Sequence, residues 1–98
     1  MRCTNEEAMT ESEKAQQVMT ALKSAEAAAP DAALQTLNGL MGLVRSPAAE
    51  QPIEVEEARS AAFLSICEIG KALHRGQPTE MLWPAAVSAA ERWLALSK

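Results

Sequence analysis

The sequence is poor in the residues that build β-sheets. It contains no tyrosine, one phenylalanine and two tryptophans, and valine, isoleucine and threonine together number 12 of 98 residues. Alanine, the strongest helix former, occurs 20 times. These proportions exclude an all-β fold, and the short length predicts a single all-α domain over residues 1–98.

Cysteine and histidine are also scarce. Cys3, Cys67 and a single histidine are too few for a closed zinc site in one chain. We interpret Cys67, which lies in an apolar helical stretch, as a small buried hydrophobic residue. The acidic run of Glu54, Glu56 and Glu57 lacks the Glu-x-x-His pattern of di-metal bundles, and it is interpreted as a solvated first helical turn. We therefore expect no metal and no cofactor.

Basic residues are outnumbered: 9 lysines and arginines stand against 13 aspartates and glutamates, for a net charge of −4. The longest basic cluster is Lys71, His74 and Arg75, which is too small to replace the counterions of a nucleic acid. We therefore expect no nucleic-acid partner. The acidic balance instead favours a protein partner with a basic surface.

Long apolar runs are absent as well. None approaches the roughly 18 residues that a membrane span requires, so we expect no membrane contact. Residues 1–7 lack the apolar core of a signal peptide, which predicts a cytoplasmic protein. Residues 1–8 form either a disordered extension or a first helical turn, because Thr4 and Glu7 fit a capping box.

Apolar residues recur at spacings of three and four, and this period predicts four helices, over residues 5–28, 31–44, 52–75 and 78–97. Short connections between them predict antiparallel helical hairpins in a small four-helix bundle-like domain. In the first segment, acidic residues including Glu11 are expected to cover the solvent side.

Proline and glycine mark the breaks between these segments. Asp31, after a proline, is expected to cap the second helix, and residues 45–52 form the loop between the hairpins. Gly39 and Gly42 leave two alternatives, of which we favour a helix that continues to Val44 over one that ends at Gly39.

The fourth segment contains a proline near its start. Gly76 is expected to end the third helix, and Pro84 lies about five residues past the expected cap Thr79. The proline therefore either kinks the helix or marks its true start. The apolar residues form two faces about 100° apart, one with Leu82, Ala86, Ala89, Trp93 and Leu96, the other with Trp83, Val87, Ala90 and Leu94.

No pattern in the sequence carries a catalytic signature, and we expect the protein not to be an enzyme. His74 is interpreted as a favourable charge at a helix end rather than a phosphoacceptor or general base. A degenerate helix-turn-helix around Gly76 leaves a nucleic-acid-binding regulator as the alternative function. Recognition helices offer basic or amide side chains to bases, whereas residues 80–84 supply a glutamate, three large apolar residues and a proline.

The large apolar side chains exceed what one thin, alanine-lined bundle should need. This excess predicts a homodimer or a partner surface. Of two alternatives for the tryptophans, we favour one of them at that interface over both in the core. The candidate interface residues are Trp83, Val87, Leu94, Trp93, Leu40, Met41, Leu43 and Phe63. We expect a small, acidic, non-enzymatic regulator, inhibitor or adaptor that acts by protein–protein binding, for example an antiactivator that occludes a transcription-factor surface.

Overall fold

The computed structural model describes residues 10–45 and 50–98. This part of the chain forms four α-helices: α1 Glu11–Glu26, α2 Pro30–Arg45, α3 Ile53–His74 and α4 Leu82–Ser97. The all-α prediction is confirmed for the described residues. The two alternatives for residues 1–8, and residues 46–49 of the expected loop, lie outside them.

The helix α1 begins later than predicted, because its capping box lies at Thr10 and Glu13. The Glu13 amide donates to Thr10 Oγ1 at 3.1 Å, and the Thr10 amide donates to Glu13 Oε1 at 2.8 Å. These bonds satisfy amides at the helix start that have no partner within the helix.

The helix α2 continues through both of its glycines, as favoured from the sequence. It begins at Pro30, so Asp31 lies in the first turn rather than at the cap. Proline suits this position because its φ is helical and no amide is left unsatisfied. Gly39 and Gly42 are exposed, and a Cβ atom at either would meet nothing within 4 Å. No close helix contact therefore requires these glycines.

The helix α3 ends at His74, and Gly76 terminates it as predicted. Gly76 has a φ of 69°, in the left-handed region that favours glycine. Its amide donates to the Leu73 carbonyl at 3.2 Å, and the Gln77 amide donates to the Ala72 carbonyl at 2.8 Å. This pair of bonds is the Schellman motif, which satisfies carbonyls at the helix end.

Pro84 lies in the first turn of α4, so it marks the start of this helix rather than a kink within it. Thr79 stabilises the turn that leads into α4. Its carbonyl accepts from the Leu82 amide at 2.9 Å, and its hydroxyl accepts from Trp83 Nε1 at 3.0 Å.

The core is built mainly from one seam of buried residues on each helix, with alternating spacings of three and four, and Ala58 adds to it beside the seam of α3. The seams are Glu11, Ala15, Val18, Leu22 and Ala25; Ala33, Leu37, Leu40 and Val44; Val55, Arg59, Ala62, Ile66 and Ile69; and Trp83, Ala86, Ala90 and Trp93. This spacing is typical of helices that cross at small angles in bundles.

The seam of α4 corrects the prediction of two separate apolar faces. It takes Trp83 and Ala90 from one predicted face and Ala86 and Trp93 from the other. The remaining large residues of both faces flank this seam and are only partly buried or exposed.

The helices pack in a ring. Both α1 and α3 pack against α2 and α4. Alanines of the seams allow these helices to approach closely, and the two tryptophans supply the largest buried volume. One hydrophobic core therefore joins all four helices.

Replacing the exposed helical glycines should stabilise the fold. We expect Gly39→Ala and Gly42→Ala each to raise the free energy of unfolding by up to about 1 kcal/mol, because alanine favours helix and its methyl meets no other atom. Gly76→Ala is the matched control and should lower it by about 1 kcal/mol, since its φ is positive. Urea unfolding followed by circular dichroism measures all three, and a loss of stability at Gly39 or Gly42 would contradict the open surface there.

Candidate functional site

Two charged side chains, Glu11 and Arg59, are buried in the seams of α1 and α3. Glu11 is 4% exposed and Arg59 is 7% exposed. Arg59 Nε lies 3.4 Å from Glu11 Oε2, which is an ion-pair distance, although the N–H is not aligned as a hydrogen bond. Removing both charges from water is costly, so such a pair is stable only when further hydrogen bonds accompany it.

The guanidinium of Arg59 makes such bonds at the C-terminal end of α2. Its Nη1 donates to the Val44 carbonyl at 2.9 Å and to the Arg45 carbonyl at 3.2 Å. Carbonyls in the last turn of a helix have no amide partner within it, and a cation there also complements the helix dipole. The Nη2 atom pairs with the carboxylate of Glu56, one turn earlier in α3.

Trp93 connects α4 to the same cluster. Its Nε1 donates to Glu11 Oε2 at 3.0 Å, and the side chain is fully buried. A single carboxylate oxygen therefore contacts both Trp93 and Arg59. The N-terminal part of α1 and α3 meets the C-terminal part of α2 and α4 at this cluster, as antiparallel hairpins require.

The prediction that Glu11 covers the solvent side is wrong. Glu11 precedes Ala15 by four residues, and Arg59 follows Val55 by four and precedes Ala62 by three. Both charges therefore continue a seam at its own spacing. This spacing could have predicted that Glu11 and Arg59 are buried, whereas a search for apolar residues alone omitted both from the predicted core.

A different feature lies on the outside of α3. We define the outer face of α3 as the exposed residues on the same side of this helix as Leu64: Ile53, Glu57, Ser60, Ala61, Leu64, Glu68 and Lys71. Ile53 is 67% exposed and Leu64 is 62% exposed. The two lie on the same side of the helix, about 16 Å apart along its axis. With Ser60 and Ala61 between them, they form an apolar stripe that Glu56 and Glu57 border.

Charge changes sign along this helix. Glu54 and Glu57 are exposed at its N-terminal end, and Lys71 and Arg75 are exposed at its C-terminal end. Each sign matches the helix dipole at its own end. Glu68 pairs with Lys71 at 3.5 Å, but both are largely exposed, so this pair contributes little to stability.

The structure places three predicted interface residues, Trp83, Trp93 and Leu40, in the core of a single chain. Both indole N–H groups donate within the chain, to Thr79 and Glu11. The other five are half-buried and pack against the core: Val87, Leu94, Met41, Leu43 and Phe63. Their part in an interface stays a prediction, with little exposed area to support it.

The remaining candidates are scattered. His74 is exposed in the last turn of α3, and Cys67 is half-buried rather than buried. Within the described ranges, no group of three or more His, Cys, Asp or Glu side chains is placed to hold a metal ion. Of the acidic run at the start of α3, Glu56 neutralises Arg59 while Glu54 and Glu57 face solvent.

Comparisons of this chain with protein-family models, with curated proteins and with solved structures found no match. Among the helices of residues 10–45 and 50–98, none combines the length and apolar character needed to cross a membrane.

Removing Arg59 should destabilise the fold strongly. In Arg59→Met the Glu11 carboxylate loses its ion pair with Arg59 and two carbonyls of α2 lose a buried donor, and we expect a loss of about 3 kcal/mol in the free energy of unfolding. Arg92→Met, the same change at an exposed position of α4, should cost less than about 0.5 kcal/mol. Urea unfolding of both variants tests this.

Adding Glu11→Gln to Arg59→Met should recover part of that loss. The amide oxygen can still accept from Trp93, and the buried negative charge that faced Arg59 is removed. If the double variant loses as much free energy of unfolding as the two single variants together, Glu11 and Arg59 are not directly coupled.

Proposed function

We propose that the protein acts by protein–protein binding, as a small regulator or adaptor, and that the outer face of α3 makes the contact. The observation that carries this proposal is the exposure of Ile53 and Leu64 on one line of one helix. Large apolar side chains exposed along one face mark interaction sites more often than scattered single ones do. A partner that covers Leu64 removes this apolar area from water.

Acidic groups at the N-terminal end of this face set the chemistry of the partner. Glu54 and Glu57 are exposed beside Ile53 at this end, whereas Arg59 neutralises the charge of Glu56. A contact that offers basic side chains beside its apolar residues would complement them and would associate faster for that reason.

The role we propose is to cover a surface of a partner protein in the cytoplasm. A small helical domain that covers an apolar, basic patch of its partner blocks whatever else binds there, as an antiactivator does with a transcription factor. The apolar stripe with its acidic border supports such a contact without any chemical step.

Site-specific photo-crosslinking tests the proposal. A photoreactive side chain at position 64, irradiated in cells that express the chain, should yield discrete protein adducts, because Leu64 lies at the centre of the proposed contact. The same group at position 35, exposed on α2, is the control and should yield none of these adducts. Adducts that form equally at both positions, or only at 35, would contradict the proposal.

A further inference from the structure

We infer that the occupant of the outer face of α3 is a second copy of this chain, with the two α3 helices packed antiparallel about a two-fold axis at Leu64. The inference rests on the proposed function and names a reversible occupant of the same face: the second copy covers it in the dimer, and a regulated partner binds the face of a dissociated chain. Its basis is the position of each charge relative to Leu64.

Glu57 and Lys71 lie at equal distances from Leu64. One precedes it by seven residues and the other follows it by seven, so each is about 10 Å away along the axis and nearly on the same side of the helix. In an antiparallel pair centred on Leu64, Glu57 of one copy is therefore level with Lys71 of the other. Because of the two-fold symmetry, this ion pair occurs twice, once on each side of the axis.

The same symmetry holds further along the face. Ile53 precedes Leu64 by eleven residues and Arg75 follows it by eleven. Ile53 can therefore pack on the aliphatic stem of Arg75 of the other copy, while Glu54 faces its guanidinium. Ser60 and Glu68 each lie four residues from Leu64, so the serine hydroxyl can donate to the carboxylate across the interface.

The alternative orientation is unfavourable. Parallel α3 helices in the same register would place Glu57 beside Glu57 and Lys71 beside Lys71, and like charges at an interface oppose association. The antiparallel pair brings the acidic end of each stripe to the basic end of the other. The second copy thus supplies the basic groups that the acidic border of the stripe calls for.

A contact of two helices is smaller than the interfaces of stable obligate dimers. Since Ile53 and Leu64 are its large apolar members, we expect a reversible dimer with a dissociation constant in the micromolar range.

Sedimentation equilibrium with charge-reversal variants tests both the dimer and its register. We expect the unmodified chain to dimerise reversibly over about 1–500 μM. Glu57→Lys and Lys71→Glu should each weaken dimerisation at least about tenfold, because each creates two like-charge contacts, and the double variant should return to within about threefold of the original. Glu91→Lys, the same charge change at an exposed site on α4, should leave the dissociation constant unchanged.

The double variant is the decisive sample. Lys71→Glu also loses its pair with Glu68 inside the chain, but adding Glu57→Lys restores only a contact between copies. Circular dichroism confirms that each variant is folded. A double variant as weak as the single ones, or single variants that dimerise normally, would overturn the register.

Failure of this inference is distinguishable from failure of the proposed function. A chain that stays a 10.5 kDa monomer throughout the concentration range overturns the inference. If position 64 then crosslinks to a different protein, binding through the outer face of α3 still stands. If it crosslinks to nothing, both proposals fail.

Discussion

One buried polar cluster, centred on the guanidinium of Arg59, joins all four described helices near one end of the bundle. Arg59 contacts Glu11 at the start of α1 and the last carbonyls of α2, and Trp93 of α4 donates to the same Glu11 oxygen. Burying these charges is costly, and only the complete set of partners offsets the cost. Each partner has a fixed position on its own helix, so the cluster defines how the helices are aligned along the bundle. The alanines of the seams fix this alignment less well, because small side chains interlock less than large ones.

This constraint separates the two sides of α3. The inner side presents Arg59 to the cluster and packs on α2 and α4, so the helix is held along both flanks. Glu56 lies at the boundary, where it neutralises Arg59. The outer side, with Glu57 and Leu64, is then presented on a rigid element, and a rigid surface loses little conformational entropy when it binds. The same helix thus supplies both the core and the proposed interface.

Much of the fold follows from local signals in the sequence. The helices follow from the spacing of apolar residues, and Gly76 and Pro84 mark helix ends because of their own backbone restrictions. The capping box at Thr10 also has a sequence signature, but a similar pattern at Thr4 led to the prediction that α1 begins earlier than it does.

The buried polar cluster did not follow from those signals. Glu11 and Trp93 are separated by 82 positions, and no local pattern reports a hydrogen bond between them. The sequence therefore favoured one tryptophan at an interface over both in the core, whereas each indole N–H has its own partner within the chain and both side chains are buried. The outer face of α3 was missed for a related reason, since the broad apolar arc predicted for this helix left open which residues its neighbours would cover.

Disulfide formation at the proposed two-fold axis tests the central claim most directly. In a chain with Cys3→Ala and Cys67→Ala, Leu64→Cys places two thiols opposite each other if the outer faces of α3 meet. We predict rapid oxidation to a crosslinked dimer, while Ser88→Cys, exposed on α4, remains monomeric under the same conditions. Crosslinking at position 64 that is no faster than at position 88 would contradict the account.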